Sequence, residues 1–170
     1  MALKLIEHGS PEYQQMLGLR SSVLREPLGL EFDPVELEKE NHDILIGAFE
    51  EEEMLGCCML IEENPATLRL RQMAVYNEKQ GKGIGRAMMS FAENLARDRG
   101  YKALNMHARK NAIGFYEKMG YQVASEEFTE VTIPHVVMEK KLERTSPLFT
   151  RNLQVFFHYR PAGNILPFNP

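Results

Sequence analysis

"RQMAVYNEKQGKGIGRAMMSFAENLARDRG", residues 71–100, sets three glycines, Gly81, Gly83 and Gly85, between a strand-like run and a helix. The helix shows in the stripe Ile84, Ala87, Met88, Phe91 and Leu95, which recurs at helical spacing. Gly100 ends it, with Arg97 and Arg99 in the last turn, where cations complement the helix dipole. The start of such a helix carries amide hydrogens without partners and a partial positive charge. Glycines strip away the side chains that would keep an anion from those groups. Lys79, Lys82 and Arg86 surround the same spot with cations. The stretch reads as a receiver of a phosphate-like anion; the plain alternative is a tight turn between strand and helix. Two common phosphate motifs fail on counting. A dinucleotide fingerprint needs glycines at offsets zero, two and five, but the third place falls on Arg86 or Met88. A Walker-type loop needs Gly-Lys-Ser/Thr after its first glycine, and nothing here supplies it.

Upstream, Leu68 and Leu70 face one way and Arg69 and Arg71 the other, as in a half-buried strand. The alternation fails at "QMAV", residues 72–75. A bulge there would free backbone groups from the ladder; a buried strand simply running out is the other reading. Further back, "DILIGAF" (43–49) and "MLGCCMLIE" (54–62) read as two antiparallel strands around the acidic turn 50–53. Two capped helix starts precede them, Ser10-Pro11 and Asp33-Pro34, the second running to about Asn41. "ALKLIEH" is a short first strand. Downstream, "YKALNMHA" is a strand and Asn111–Met119 a short helix. "YQVASEEF" and "IPHVVMEKKL" are two closing strands. The class is α/β, with strands and helices alternating in the middle and antiparallel pairs at both ends. Residues 1–142 form one domain. Residues 143–170 form a C-terminal extension, in which "NLQVFFHY" is strand-like and is either an extra strand of its own domain or one exchanged in a homodimer.

A chain of 170 residues with 44% hydrophobic content is long enough for one domain with a real core. Its formal charge of −4 argues against nucleic acid, whose binders carry a basic face. No apolar run approaches the roughly 20 residues of a bilayer span, and the first residues do not pattern as a signal peptide. Cys57 and Cys58 are adjacent in a strand and point to opposite faces, so two reduced thiols are expected. These features fit a cytoplasmic protein. The five histidines show no metal-ligand spacing, so no metal is expected.

Gln80-Gly81-Lys82-Gly83-Ile84-Gly85 resembles the Gln/Arg-x-x-Gly-x-Gly/Ala motif of the GNAT superfamily of N-acetyltransferases. "NAIGFYEKMGY" (111–121) resembles a second segment of that family, and "EEFTEVTIPHVVMEKKL" is similar to the closing strands of its ElaA-type branch. The resemblance covers about residues 1–142. It implies a mixed, mostly antiparallel twisted sheet with a V-shaped splay between central strands, flanked by helices. It also implies acetyl-coenzyme A as co-substrate, its pyrophosphate on the N–H groups from Gly81 to Arg86. The acceptor would be the primary amine of a small molecule or peptide, attacking directly in a ternary complex. A non-catalytic module sensing acetyl-coenzyme A would share the glycine motif.

The same resemblance implies roles for particular residues. Met73, Ala74 and Val75 would run beside the pantetheine arm, with the Val75 N–H as donor to the thioester oxygen. Tyr116 falls where the family places a tyrosine near the sulfur, and a phenol can protonate a thiolate. Many members carry asparagine where this chain has Arg109, with Asn111 two residues on; either could bond the pantetheine arm. Glu127, His135 and then His107 are the candidate bases. Pro134 would break a ladder bond beside His135. Arg20 and Arg25, with the loop "REPLGLEF", lie where this fold receives its acceptor and could hold a carboxylate; a solvated helix face is the plainer reading.

Overall fold

The computed structural model describes residues 1–143. The strand read in "NLQVFFHY", and with it the exchanged-strand reading, lies outside the described residues. The strands are β1 (Ala2–Ile6), β2 (Ile44–Glu50), β3 (Glu53–Asn64), β4 (Thr67–Val75), β5 (Ala103–Arg109), β6 (Gln122–Val123), β7 (Phe128–Glu130) and β8 (Ile133–Lys141). They form one sheet in the order β1-β2-β3-β4-β5-β8-β6, with β7 also pairing β8. Every pairing is antiparallel except β4 with β5. This is the expected mixed, mostly antiparallel sheet.

The helices are α1 (Pro11–Arg20), α2 (Pro34–Lys39), α3 (Ile84–Asp98) and α4 (Ile113–Glu117). Ser10 and Asp33 cap α1 and α2: their side chains accept from the Tyr13 N–H at 3.2 Å and the Val35 N–H at 2.9 Å, which satisfies amides the first turn leaves unpaired. Past Arg20 the coil widens to a π-turn over Ser21–Arg25, then tightens to a 3-10 turn that Gly29 closes at φ 67°. This irregular segment packs beside β4.

Strand alternation divides the core in two. Leu68 and Leu70 of β4, Leu104 and Met106 of β5, and Val136 and Met138 of β8 join Met88, Met89 and Ala92 of α3 on one face. Tyr13, Met16 and Leu19 of α1 pack with Cys57, Met59 and Ala74 on the other. Two buried ionic clusters tie helices to their surroundings. Arg20, 1% exposed, donates to both carboxylate oxygens of Glu40 at 2.8 and 2.7 Å, and the Tyr13 hydroxyl donates to the same carboxylate at 2.9 Å. On the opposite face Glu93 of α3 accepts from the Tyr121 hydroxyl at 3.0 Å and from Lys140 of β8. Arg20 is therefore a buried structural cation held by Glu40, and it does not line the cleft between β4 and β5.

Two readings change. "YQVASEEF" is not one strand: β6 ends at Val123 and β7 begins at Phe128. Between them the Ser125 hydroxyl takes the Val137 N–H at 2.8 Å, replacing a backbone acceptor and releasing the acidic residues that follow. The helix expected over Asn111–Met119 is a 3-10 turn, Lys110–Ala112, followed by the single α-turn of α4. Cys57 and Cys58 are free and buried, as expected. Burial pushes the Cys57 thiol up to about 12. Since the thiolate is the reactive form, neither should react with a disulfide reagent in the native protein within minutes, whereas two thiols per chain should react in denaturant. Rapid native labelling would contradict that burial.

Candidate active site

β4 and β5 pair only from Thr67–Leu70 against Ala103–Met106. Beyond that Arg71–Val75 and His107–Arg109 diverge without pairing to each other. The divergence starts where β4 is disturbed. Met59 sits opposite Arg71 but Cys57 opposite Ala74, so β4 carries one extra residue. Gln72 absorbs it at φ 54°, and the Cys57 thiol donates to its carbonyl at 3.8 Å. This is the bulge foreshadowed by the failed alternation, and such a bulge bends its strand.

After the bulge the backbone is re-aimed. Tyr76 donates its N–H to the Leu55 carbonyl at 3.4 Å. Backbone groups in an antiparallel ladder alternate sides, so Val75 turns its N–H and C=O away from β3, toward the side β5 has left. The Val75 carbonyl takes the Gln80 side-chain amide at 3.2 Å, and the same amide reaches Asn77. Gln80 thus staples the loop between β4 and α3. Ala74 turns into the core beneath α1, while Met73 lines the opening.

The glycines divide their work. Gly81 and Gly83 have φ of 77° and 80°, in the left-handed region that L side chains disfavour. A Cβ at either would meet nothing within 4 Å, so both border open space. Gly85 is helical, and a Cβ there would come within 3.3 Å of the Phe115 ring; its bareness lets α4 approach α3. The first bond into the helix is from the Ala87 N–H to the Gly83 carbonyl at 3.0 Å. The N–H groups of Ile84, Gly85 and Arg86 are left without helical partners. Lys79, Lys82 and Arg86 make no ion pair among the described residues.

The opening is a cleft of about 730 Å³ between β4 and β5, roofed by Leu24, Arg25 and Leu28 on one side and by the β7–β8 hairpin on the other. Tyr116 lines it. Its ring is buried, with the Phe115 ring 5.0 Å away and the Tyr121 ring 5.9 Å away. Its hydroxyl has no hydrogen-bond partner among the described residues. Burial, and secondarily Cys58, push the phenol above its ordinary value, so it keeps its proton through the neutral range.

His135 and His107 also line the cleft, and Glu130 joins them. His135 Nδ1 lies 2.7 Å from the Ile133 carbonyl. A carbonyl only accepts, so that nitrogen carries the proton, and in the neutral ring the lone pair sits on Nε2. Nε2 is 3.8 Å from Glu130, while His107 Nδ1 meets the other Glu130 oxygen at 3.1 Å. The hairpin that carries Glu130 turns through Val131 and Thr132 at φ 48° and 63°, unusual for β-branched residues.

Several expected residues stand elsewhere. Glu127 does not line the cleft; it is exposed and pairs with Lys110 at 3.0 Å. Asn111 is exposed on the 3-10 turn, outside the cleft wall that Arg109 helps form. Sequence reading missed Glu130 and Arg71. The signal for Arg71 was present in the β4 alternation, which places it on the cleft face. Glu130 carried none, since its position depends on the hairpin.

Comparison with known proteins agrees with this geometry. Residues 31–142 match the family described as an acetyltransferase (GNAT) domain. Bacillus subtilis (strain 168) YyaT, described as uncharacterised, is 35% identical over 78 residues, 46% of this chain and 53% of its own. The chain spans about half the length of the curated relatives it matches. A putative N-acetyltransferase from Lactobacillus plantarum superposes with a TM-score of 0.73 at 26% identity, over 84% of this chain and 100% of that one. An aminoglycoside 6'-N-acetyltransferase crystallised with coenzyme A superposes at 0.70 and 17% identity, over 84% and 98%, a likeness of fold alone. The chain belongs to the GNAT acetyltransferase family.

Proposed function

We propose that this chain is an N-acetyltransferase that moves an acetyl group from acetyl-coenzyme A to the primary amine of a small molecule or peptide, both held together in the cleft. The observation that carries the reading is the open space beside Gly81 and Gly83, at the bare start of α3 and next to the parted strands. A diphosphate fits such a start, since amide hydrogens and the helix dipole both favour an anion. Gly81, Lys82, Gly83, Ile84, Gly85 and Arg86 would hold it, with Gln80 fixing the loop; Met73, Val75 and Arg109 would border the arm. Bound there, acetyl-coenzyme A supplies an acetyl group activated as a thioester.

The chain's own groups supply the rest. The Val75 N–H, turned from β3, is a donor for negative charge developing on an acyl oxygen. The Tyr116 hydroxyl, protonated and without a hydrogen-bond partner among the described residues, is the acid for a departing thiolate. An alkylamine has a pKa near 10.4 and arrives charged, so a base must take its proton. His135 Nε2 is that base, with Glu130 as the neighbouring carboxylate; Glu127, paired outside with Lys110, is set aside. Free buried thiols suit a reducing cytoplasm.

Thiol release from acetyl-coenzyme A against a panel of amines tests the assignment. Turnover with at least one amine is expected; tight binding with no turnover of any amine would instead mark a sensor. Tyr116→Phe should lower kcat roughly tenfold or more and leave the KM for acetyl-coenzyme A nearly unchanged. An unchanged kcat would remove the tyrosine from the mechanism. His135→Asn should cost roughly a hundredfold in kcat, with part of the loss recovered at alkaline pH, where more amine is already neutral. A loss independent of pH would make His135 scaffold only.

A further inference from the structure

Among the described residues, four arginines, Arg25, Arg69, Arg71 and Arg109, line the cleft against one carboxylate, Glu130. Arg69 is paired with Glu63. Arg25, Arg71 and Arg109 make no ion pair within 4 Å among the described residues, although Arg71 feels the Asp43 carboxylate at longer range. For a chain of net charge −4, this is a concentration of cations against the global trend. None of these arginines is needed at the glycine turn, whose own cations, Lys79, Lys82 and Arg86, do not line this cleft. Arg25 is held by the Phe32 ring, 4.3 Å from its guanidinium, and reaches the Glu31 carbonyl at 3.5 Å. Its Nε is buried without a hydrogen-bond partner among the described residues. Burial, then the like charge of Arg20 and more weakly that of Arg71, hold the Arg25 guanidinium below its usual range, although Glu40 opposes them. An anion arriving between Arg25 and Arg71 would relieve both the unpaired donor and the repulsion. Leu24, Leu28, Leu30 and Ile133 give the same cleft apolar walls.

Resting on the reading that this cleft receives the acceptor amine, we propose that the acceptor also carries a carboxylate. It is an amino acid or a similarly small zwitterion, with its carboxylate on Arg71 and Arg25, Arg109 on the facing wall, and its amine turned toward His135 and Glu130. Arg71 is the first residue of β4 past the paired segment, and Arg109 closes β5 opposite His135. The carboxylate therefore lies on the β4 side and the base on the β8 side, separated by the width of the cleft. Guanidinium groups recognise a carboxylate through paired, charge-assisted hydrogen bonds, which a neutral amide cannot match.

The test uses products, so that it does not depend on turnover. Calorimetry with coenzyme A present would compare N-acetylglycine, N-acetylleucine, N-acetylphenylalanine and N-acetylglutamate with their carboxamides. At least one acid should bind about tenfold or more tighter than its amide, and Arg71→Met, still folded by its melting temperature, should erase that gap. No preference for any acid in the wild type overturns the proposal without reference to a variant. A gap that survives in both Arg71→Met and Arg25→Met also overturns it. Acid preference without acetylation of any amine would keep the anion site and remove the enzyme. Acetylation of amines with no acid preference would keep the enzyme and remove the anion site.

Discussion

Arg20→Ala should lower the melting temperature by roughly 10 °C. Arg20 is almost wholly buried and bonds both oxygens of Glu40. Truncating it leaves a buried carboxylate whose one remaining hydrogen-bond partner among the described residues is the Tyr13 hydroxyl. Breaking one side of such a pair costs about 3–5 kcal/mol, and in a domain of this size each kcal/mol moves the midpoint by roughly 2–4 °C. Arg20→Met combined with Glu40→Leu should cost less than either single change, because no uncompensated charge remains. Burial alone would raise the Glu40 carboxyl, but the Arg20 bonds outweigh it and hold it below its ordinary 4.5. A carboxyl lowered on folding adds stability above its unfolded value and loses it as pH falls through the folded value. Wild type should therefore weaken below about pH 4.5 by more than Glu40→Gln does. Thermal melts from pH 3 to 7 read all of this. A shift of only a degree or two in Arg20→Ala would contradict the buried pair.

Gly83→Glu should weaken acetyl-coenzyme A binding by about a hundredfold or more. The substitution places a carboxylate where an anion is proposed to lie, and like charges at a helix start repel rather than attract. It also forces an L side chain to φ 80°, costing roughly 1–2 kcal/mol of stability. Gly83→Ala separates the two effects: it carries the same strain without the charge. The alanine variant should show the stability loss and a much smaller loss of affinity. If both variants bind alike, the charge is not near the ligand.

Much of the fold could be read from residue order, because its signals are local. Ser10 and Asp33 cap the helices they were expected to cap, and the β4 alternation separates leucines from arginines as the two faces of the sheet require. The failure of alternation at 72–75 became a bulge at Gln72. What escaped is non-local. Arg20 and Arg25 share one helical run, but their fates are set by Glu40 and Phe32, which arrive from further along the chain. Glu127 and Glu130 lie three residues apart in one acidic stretch. Only the Ser125 bond to Val137 and the tight turn at Val131–Thr132 decide which of them faces the cleft. "NAIGFYEKMGY" predicted a longer helix than forms, since α4 is limited to one turn packed under Gly85.

The central claim is that the amides at the start of α3, and the Val75 amide beside the parted strands, receive the thioester ligand. Backbone amide resonances of the labelled protein, followed through a titration with coenzyme A, test it most directly. The largest shifts should fall on Ile84, Gly85, Arg86 and Val75, saturating together with one affinity. Saturable binding that leaves those four amides unmoved would contradict the account.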